Sequence, residues 1–232
     1  MMALLQVDRL CAWYGRAQVL FDVGLQVKAG EVVALIGDNG AGKSTTLKAI
    51  MGLVRRRAQQ LRLGEHDLAG LEPFQIARLG VGYVPEDRRI FGDLTVLENL
   101  EVGRQPFREH AARWTLSRLF ELFPALEQAR NRSGGMLSGG EQQMLTLART
   151  LMGNPNLILM DEPSEGMAPV IVETLLNLIA ELKQQGIGIL LSEQNEDLAR
   201  QVGDRAYLLQ KGQIAPLDSN EDSDHGSGPD PV

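Results

Sequence analysis

Hydrophobic positions recur along this chain with two periods, and the switches between them outline its elements. Short apolar runs bounded by turn residues come first: Leu4 to Val7, then Val19 to Val27. After Lys28-Ala29-Gly30 follows Val32-Val33-Ala34-Leu35-Ile36, which stops at Gly37. Runs of this length beside glycine predict strands, the last of them buried on both faces. Past the glycines, Leu47, Ile50, Met51 and Val54 return at three- and four-residue spacing. That spacing predicts a helix from about Lys43 to Leu53.

From about Pro85 to Pro155 the pattern is helical, with Leu116, Leu119, Phe120 and Phe123 on one stripe and Met144, Leu145, Leu147, Ala148 and Leu151 on another. We read residues 86–155 as an inserted helical subdomain. The apolar run Leu157-Ile158-Leu159-Met160 then stops abruptly at Asp161-Glu162-Pro163, as a buried parallel strand does at the carboxyl edge of its sheet. A helical stripe from Ile171 to Leu182 closes at Gly186, and a strand follows at Ile187 to Leu191. A short helix near Asp197 to Val202 and a strand at Ala206 to Leu209 come last. The alternation predicts a doubly wound α/β fold.

Composition narrows the picture. A chain of 232 residues, 44% of them apolar, can bury one core, so residues 1–216 are read as a single domain. The net charge is −7, but Asp218, Glu221, Asp222, Asp224 and Asp230 crowd the end without a Lys or Arg among them. Residues 217–232 read as an acidic disordered tail, and the remainder is close to neutral. A near-neutral domain argues against a dedicated nucleic-acid binder; the Arg55-Arg56-Arg57 run reads as a solvated loop. One cysteine, Cys11, and no leader-like segment predict a cytosolic setting, and no apolar run is long enough to span a membrane.

The glycines carry the chemistry. Gly37-Asp38-Asn39-Gly40-Ala41-Gly42-Lys43-Ser44 fits G-x4-G-K-[ST] between a predicted strand and a predicted helix, with Thr45 next on the helix. Glycines let successive backbone N–H groups face one anion, and the helix dipole adds to that field. Lys43 is expected on the β- and γ-phosphates of a nucleoside triphosphate, and the Ser44 hydroxyl on Mg²⁺. Asp161, at a strand end that parallel order places beside this loop, is the expected carboxylate on Mg²⁺ through water. Glu162 is placed to polarise the water that attacks the γ-phosphate.

Between these lies Leu137-Ser138-Gly139-Gly140-Glu141-Gln142-Gln143. Locally, Ser138 with Glu141 is a capping box that starts an amphipathic helix, and its hydroxyl and glycine N–H groups form a second anion site. With Lys43 upstream and Asp161-Glu162 downstream, the stretch resembles the signature motif of ATP-binding cassette (ABC) ATPases, a likeness running from about Leu5 to Ile214. The resemblance implies a P-loop cassette: a mostly parallel core sheet, an N-terminal antiparallel β part and the inserted helices. It implies ATP and Mg²⁺ as ligands. It also implies head-to-tail pairing with a second cassette, so that Ser138, Gly139 and Gly140 of one copy close over the γ-phosphate on the loop of the other. Tyr14 looks like the aromatic that stacks on adenine, with an ordinary strand aromatic as the alternative.

Two departures from the family pattern stand out. After Tyr83-Val84-Pro85 most cassettes carry Gln; here Glu86 can hold Mg²⁺ but, when ionised, cannot donate to water. Where a switch His follows the late strand, this chain has Gln194, whose amide still donates to a phosphate without titrating near neutral pH. Neither His66 nor His110 is placed to substitute. Ser164-Glu165-Gly166-Met167-Ala168-Pro169 occupies the loop that in the family contacts the partner cassette, without the common Asp.

Val84-Pro85-Glu86 with Arg88-Arg89, Gly166-Met167-Ala168-Pro169 and Glu193-Gln194-Asn195 look like the smaller ATPase subunit of branched-chain (hydrophobic) amino-acid importers. Urea-import subunits share most of this. The implied partners are integral permease subunits, a sister cassette and, indirectly, a substrate-binding protein, with the chain peripheral on the inner membrane face. Ile90, Phe91 and Leu94 are expected on a permease helix, with core packing as the alternative. Two rivals are weaker. A cassette acting on nucleic acid or ribosomes lacks the coiled coil or second cassette it needs, and a P-loop kinase leaves Ser138 unexplained.

Overall fold

The computed structural model describes residues 3–106 and 113–217. An antiparallel hairpin of β1 (Leu5–Tyr14) and β2 (Ala17–Val27) leads to β3 (Val32–Ile36), buried at all five positions, and then to α1 (Lys43–Ile50). Short strands β4 (Arg55–Arg57), β5 (Gln60–Leu63) and β6 (His66–Asp67) precede α2 (Pro73–Arg78) and β7 (Val81–Val84). Helices α3 (Val96–Gly103), α4 (Leu116–Leu122), α5 (Pro124–Gln128) and α6 (Gly139–Leu151) follow. The chain continues through β8 (Leu157–Asp161), α7 (Pro169–Gln184), β9 (Gly188–Glu193) and α8 (Glu196–Val202) to β10 (Arg205–Gln210) and β11 (Gln213–Leu217).

Two sheets result. One is antiparallel, ordered β2-β1-β5-β6, with β4 also on β1; the other is ordered β11-β10-β3-β9-β8-β7 and is parallel except for β11. Each central strand of the second sheet is covered on both sides, which is why it is apolar at nearly every position. The twofold alternation of strand side chains splits them between two cores. Val33, Leu35, Leu157, Leu159 and Leu190 pack with α1 and the antiparallel sheet. Val32, Ile158, Met160, Ile189 and Leu191 pack with α3, α6 and α7. Register does the rest: Ile36 pairs with Glu193 and Asp161 with Ser192, so the loops after β3, β8 and β9 leave the sheet side by side.

The expected α/β class, the mostly parallel sheet and the antiparallel N-terminal part are all present. Details differ. The helix expected to reach Leu53 ends at Ile50, because Gly52 turns the chain with φ 79°. The Arg55-Arg56-Arg57 run is not a solvated loop but β4, paired with Cys11 to Trp13. Its outer arginines lie over the Trp13 ring, 5.4 and 6.0 Å from its centre. Arg56 turns inward and donates to the carbonyls of Ala49, Ile50, Leu68 and Leu71. The first strand also continues past Val7 to Tyr14, through irregular register and a positive φ at Arg9. Among the described residues no helix is long and apolar enough to cross a membrane. The acidic segment from Asp218, and His110, lie outside the described residues.

Candidate functional site

The loop Gly37–Gly42 joins β3 to α1 and is shaped by close packing beneath it. Gly42 sits at φ 114°, and a Cβ there would come within 2.8 Å of a Leu20 methyl. One at Gly37 would collide with the Leu209 carbonyl oxygen. These contacts press the loop onto the sheet and bring Lys43, 3% exposed, to the carboxyl edge. Its Nζ donates to the Gly37 and Asp38 carbonyls at 2.7 and 3.2 Å and pairs with Glu162 Oε1 at 3.2 Å.

Glu162 is one residue past β8, with φ 45°, a left-handed conformation that costs a non-glycine residue about 1–2 kcal/mol. The Glu162 N–H donates to the Ser192 carbonyl at 3.0 Å, which helps to hold the turn. The turn aims the carboxylate back at Lys43, while Gln194 Nε2 donates to its other oxygen at 2.6 Å. Asp161 is fully buried; the Ser192 hydroxyl donates to its Oδ1 at 2.8 Å and the Tyr83 hydroxyl to its Oδ2 at 3.1 Å. Burial, then the Asp161 charge, pushes the Tyr83 phenol far up, so it stays a donor.

A cavity of about 430 Å³ opens over the loop. Among the residues lining it are Asn39, Gly40, Gly42, Lys43, Ser44, Thr45, Glu86, Glu162 and Gln194, with Glu165 beside them. An adjoining cavity of about 510 Å³ is lined by Gly37, Asp38, Asn39 and Gln194 among others. Partial burial, then Glu165, Asp161 and Glu162 around it, raises the Glu86 carboxyl above its ordinary value. Such crowding of oxygen donors suits a hard divalent cation. No group of three or more His, Cys, Asp or Glu side chains among the described residues is arranged to hold a metal alone.

Other expected residues stand apart. Ser138 caps α6, its Oγ accepting from the Glu141 N–H at 3.3 Å while Glu141 Oε2 accepts from the Ser138 N–H at 2.7 Å. Gly139 lies under the Arg88 guanidinium and Gly140 against Ile171, where a Cβ would meet them at 3.0 and 3.2 Å. None of the three lines the cavity over Lys43. Tyr14 is 49% exposed at the hairpin end and does not line it either. His66 is exposed on β6, at the edge of the antiparallel sheet. Ile90 packs against the helical core and Leu94 is half-buried. Phe91 instead is 47% exposed and lines a groove of about 340 Å³ with Tyr83, Val102 and Arg149.

Sequence reasoning missed Tyr83 and Ser192 as the hydroxyls on Asp161. Their signal was the register of β7 and β9 on β8, which spacing along one strand does not carry.

A family model described as ABC transporter matches residues 20–165. The high-affinity branched-chain amino acid transport ATP-binding protein BraG of Pseudomonas aeruginosa is 41% identical over 216 residues, 93% of each chain. The probable branched-chain amino acid transport ATP-binding protein LivF of Archaeoglobus fulgidus is 35% identical, covering 91% of this chain and 90% of that one. The lipopolysaccharide export system ATP-binding protein LptB of Escherichia coli is 36% identical, over 92% of this chain and 89% of that one. Among solved structures, the ATP binding subunit of an ABC transporter superposes with a TM-score of 0.80 at 33% identity, over 93% of this chain and 90% of that one.

Proposed function

The chain belongs to the ABC transporter ATPase family, and from that premise we propose that it is the ATP-hydrolysing subunit of an importer for branched-chain amino acids. The observation that carries the hydrolytic part is the meeting of Lys43, Glu162 and Gln194 at 3.2 and 2.6 Å on the carboxyl edge of a parallel sheet. The substrate class rests on the BraG likeness, the higher identity and coverage of the three relatives.

Loop N–H groups from Asp38 to Ser44, with Thr45, receive the phosphates, and Lys43 exchanges the Glu162 carboxylate and loop carbonyls for phosphate oxygens. Ser44, Asp161 and Glu86 would hold Mg²⁺, which would supply Lewis-acid stabilisation of the charge that develops on the phosphates. Glu162, released from Lys43, accepts a proton from the attacking water as its oxygen bonds the γ-phosphorus and the bond to the β–γ bridging oxygen breaks, so that ADP leaves and inorganic phosphate forms. For this step Gln194 has turned its amide from Glu162 to the γ-phosphate, where it donates as charge develops. Tyr14, exposed at the hairpin end, stacks on adenine.

Helices α3 to α6 form the inserted subdomain that presents Ser138, Gly139 and Gly140 on the outside. Because these stand apart from the loop of their own chain, a second cassette packed head to tail brings them to the γ-phosphate. Phe91, with Arg149 stacked 5.2 Å from its ring centre, offers an amphipathic groove to a permease helix at the membrane's inner face. A substrate-binding protein acts through the permease.

Reconstitution tests the reading. ATP hydrolysis is expected to rise on adding partner permeases in lipid, and leucine delivered by its receptor is expected to be accumulated. Stimulation by nucleic acid, or by lipopolysaccharide with an export permease, overturns the importer assignment.

A further inference from the structure

One buried acid has no part in the steps above. Glu193, the last residue of β9, is 3% exposed. Its Oε1 accepts the Ser164 hydroxyl at 2.8 Å, and the backbone N–H groups of Ser164 and Asn195 lie close enough to favour its charged form. Burying a carboxylate is costly unless donors meet it, and here the Ser164 hydroxyl does, with the two N–H dipoles adding to its field.

The origin of these donors is informative. Ser164 is two residues beyond Glu162, on the loop that leaves β8; Asn195 is one residue beyond Gln194, on the turn that leaves β9. Asn195 also caps α8, its side-chain oxygen accepting the Leu198 N–H at 3.1 Å. The Glu193–Ser164 hydrogen bond therefore ties the loop after β8 to the end of β9, the two segments whose side chains meet at 2.6 Å in the Gln194–Glu162 contact. Its own backbone is fixed by pairing with Ile36, next to the phosphate loop. An apolar residue would fill this place without the desolvation cost, but it would leave the Ser164 hydroxyl without this partner and the two segments unlinked.

We propose that Glu193 is a positioning residue for hydrolysis: by holding Ser164 from the end of β9, one residue before Gln194, it keeps Glu162 and Gln194 in register over the phosphate loop. The proposal rests on the reading of Glu162 and Gln194 as base and phosphate donor. Burial first, and the nearby Glu162 charge, raise the Glu193 carboxyl, while the Ser164 and Asn195 bonds act the other way. The clamp is the compensation for placing a second acid close to Glu162. Misplacing a reacting group by about 1 Å can cost on the order of a hundredfold in rate, so a clamp of this kind acts on turnover more than on binding.

The test is steady-state hydrolysis and nucleotide affinity of the full chain with Mg²⁺ and ATP, for Glu193→Gln, Ser164→Ala and the double variant. Glu193→Gln keeps size but turns an NH₂ toward donors; Ser164→Ala removes one donor. Each single change is expected to lower kcat by about tenfold or more while KM and ATP affinity move less than about threefold. The double variant is expected to lose little more than the worse single, because both cut one clamp. Unchanged kcat in either variant overturns the proposal, as does a loss shared equally between kcat and affinity. Should Glu193→Gln fail to fold, Ser164→Ala alone decides by the same criteria. Wild-type chain that binds no ATP at all overturns the ATPase reading itself, and this proposal with it.

Discussion

Glu162 shows what a single position must satisfy at this site. It holds a left-handed backbone, 9% exposure and contacts to Lys43 and Gln194 at once, so its strain is borne by the packed sheet edge. Glu162→Gln keeps the shape and the acceptor for Gln194 but cannot take up a proton. Phosphate release is expected to fall by at least about a hundredfold with ATP still bound; undiminished release rules Glu162 out as the base. Gln194 is argued differently, since its amide neither gains nor loses charge. Gln194→Ala is expected to slow turnover roughly tenfold to a hundredfold and to weaken ATP binding far less. Equal losses, in stopped-flow binding and steady-state rate, reduce Gln194 to a prop.

At the scale of elements, α1 carries Lys43 and Ser44 and is anchored at its far end by Arg56. That guanidinium serves the Ala49 and Ile50 carbonyls in the last turn of the helix, and also the Leu68 and Leu71 carbonyls. A Cβ on Gly52 would lie 2.8 Å from Arg56 Nη1, so the turn and the arginine fit only together. Arg56→Met leaves four carbonyls without this donor and is expected to cost about 2–4 kcal/mol, lowering Tm by roughly 5–10 °C. Calorimetry checks the loss, and a Tm within 1–2 °C of wild type would place the anchor elsewhere. Arg55 and Arg57, exposed over Trp13, form the internal control: their replacement is expected to move Tm by no more than about 2 °C.

The two segments proposed to bind phosphate, the loop at the sheet edge and the Ser138 helix start, stand in places that one chain does not bring together. We expect Glu162→Gln protein, saturated with ATP, to double its mass in light scattering, alone or with a sister cassette. Ser138→Arg, placing a bulky charge where the mate must close, is expected to keep ATP binding and lose that doubling. Protein that stays single in both settings ends the two-cassette scheme.

Local chemistry made much of this legible along the chain. Gly37 to Ser44 names its ligand because a phosphate loop is contiguous, and Ser138 with Glu141 names a helix start because a cap spans one turn. Apolar runs with nothing polar to offer water declared the buried strands. Contacts between strands were another matter. That Arg56 points inward, that Tyr83 and Ser192 hold Asp161, and that Glu193 holds Ser164 depends on register between segments far apart in the chain. A side chain's partner is set by which strand lies beside it, and only the closed sheet decides that.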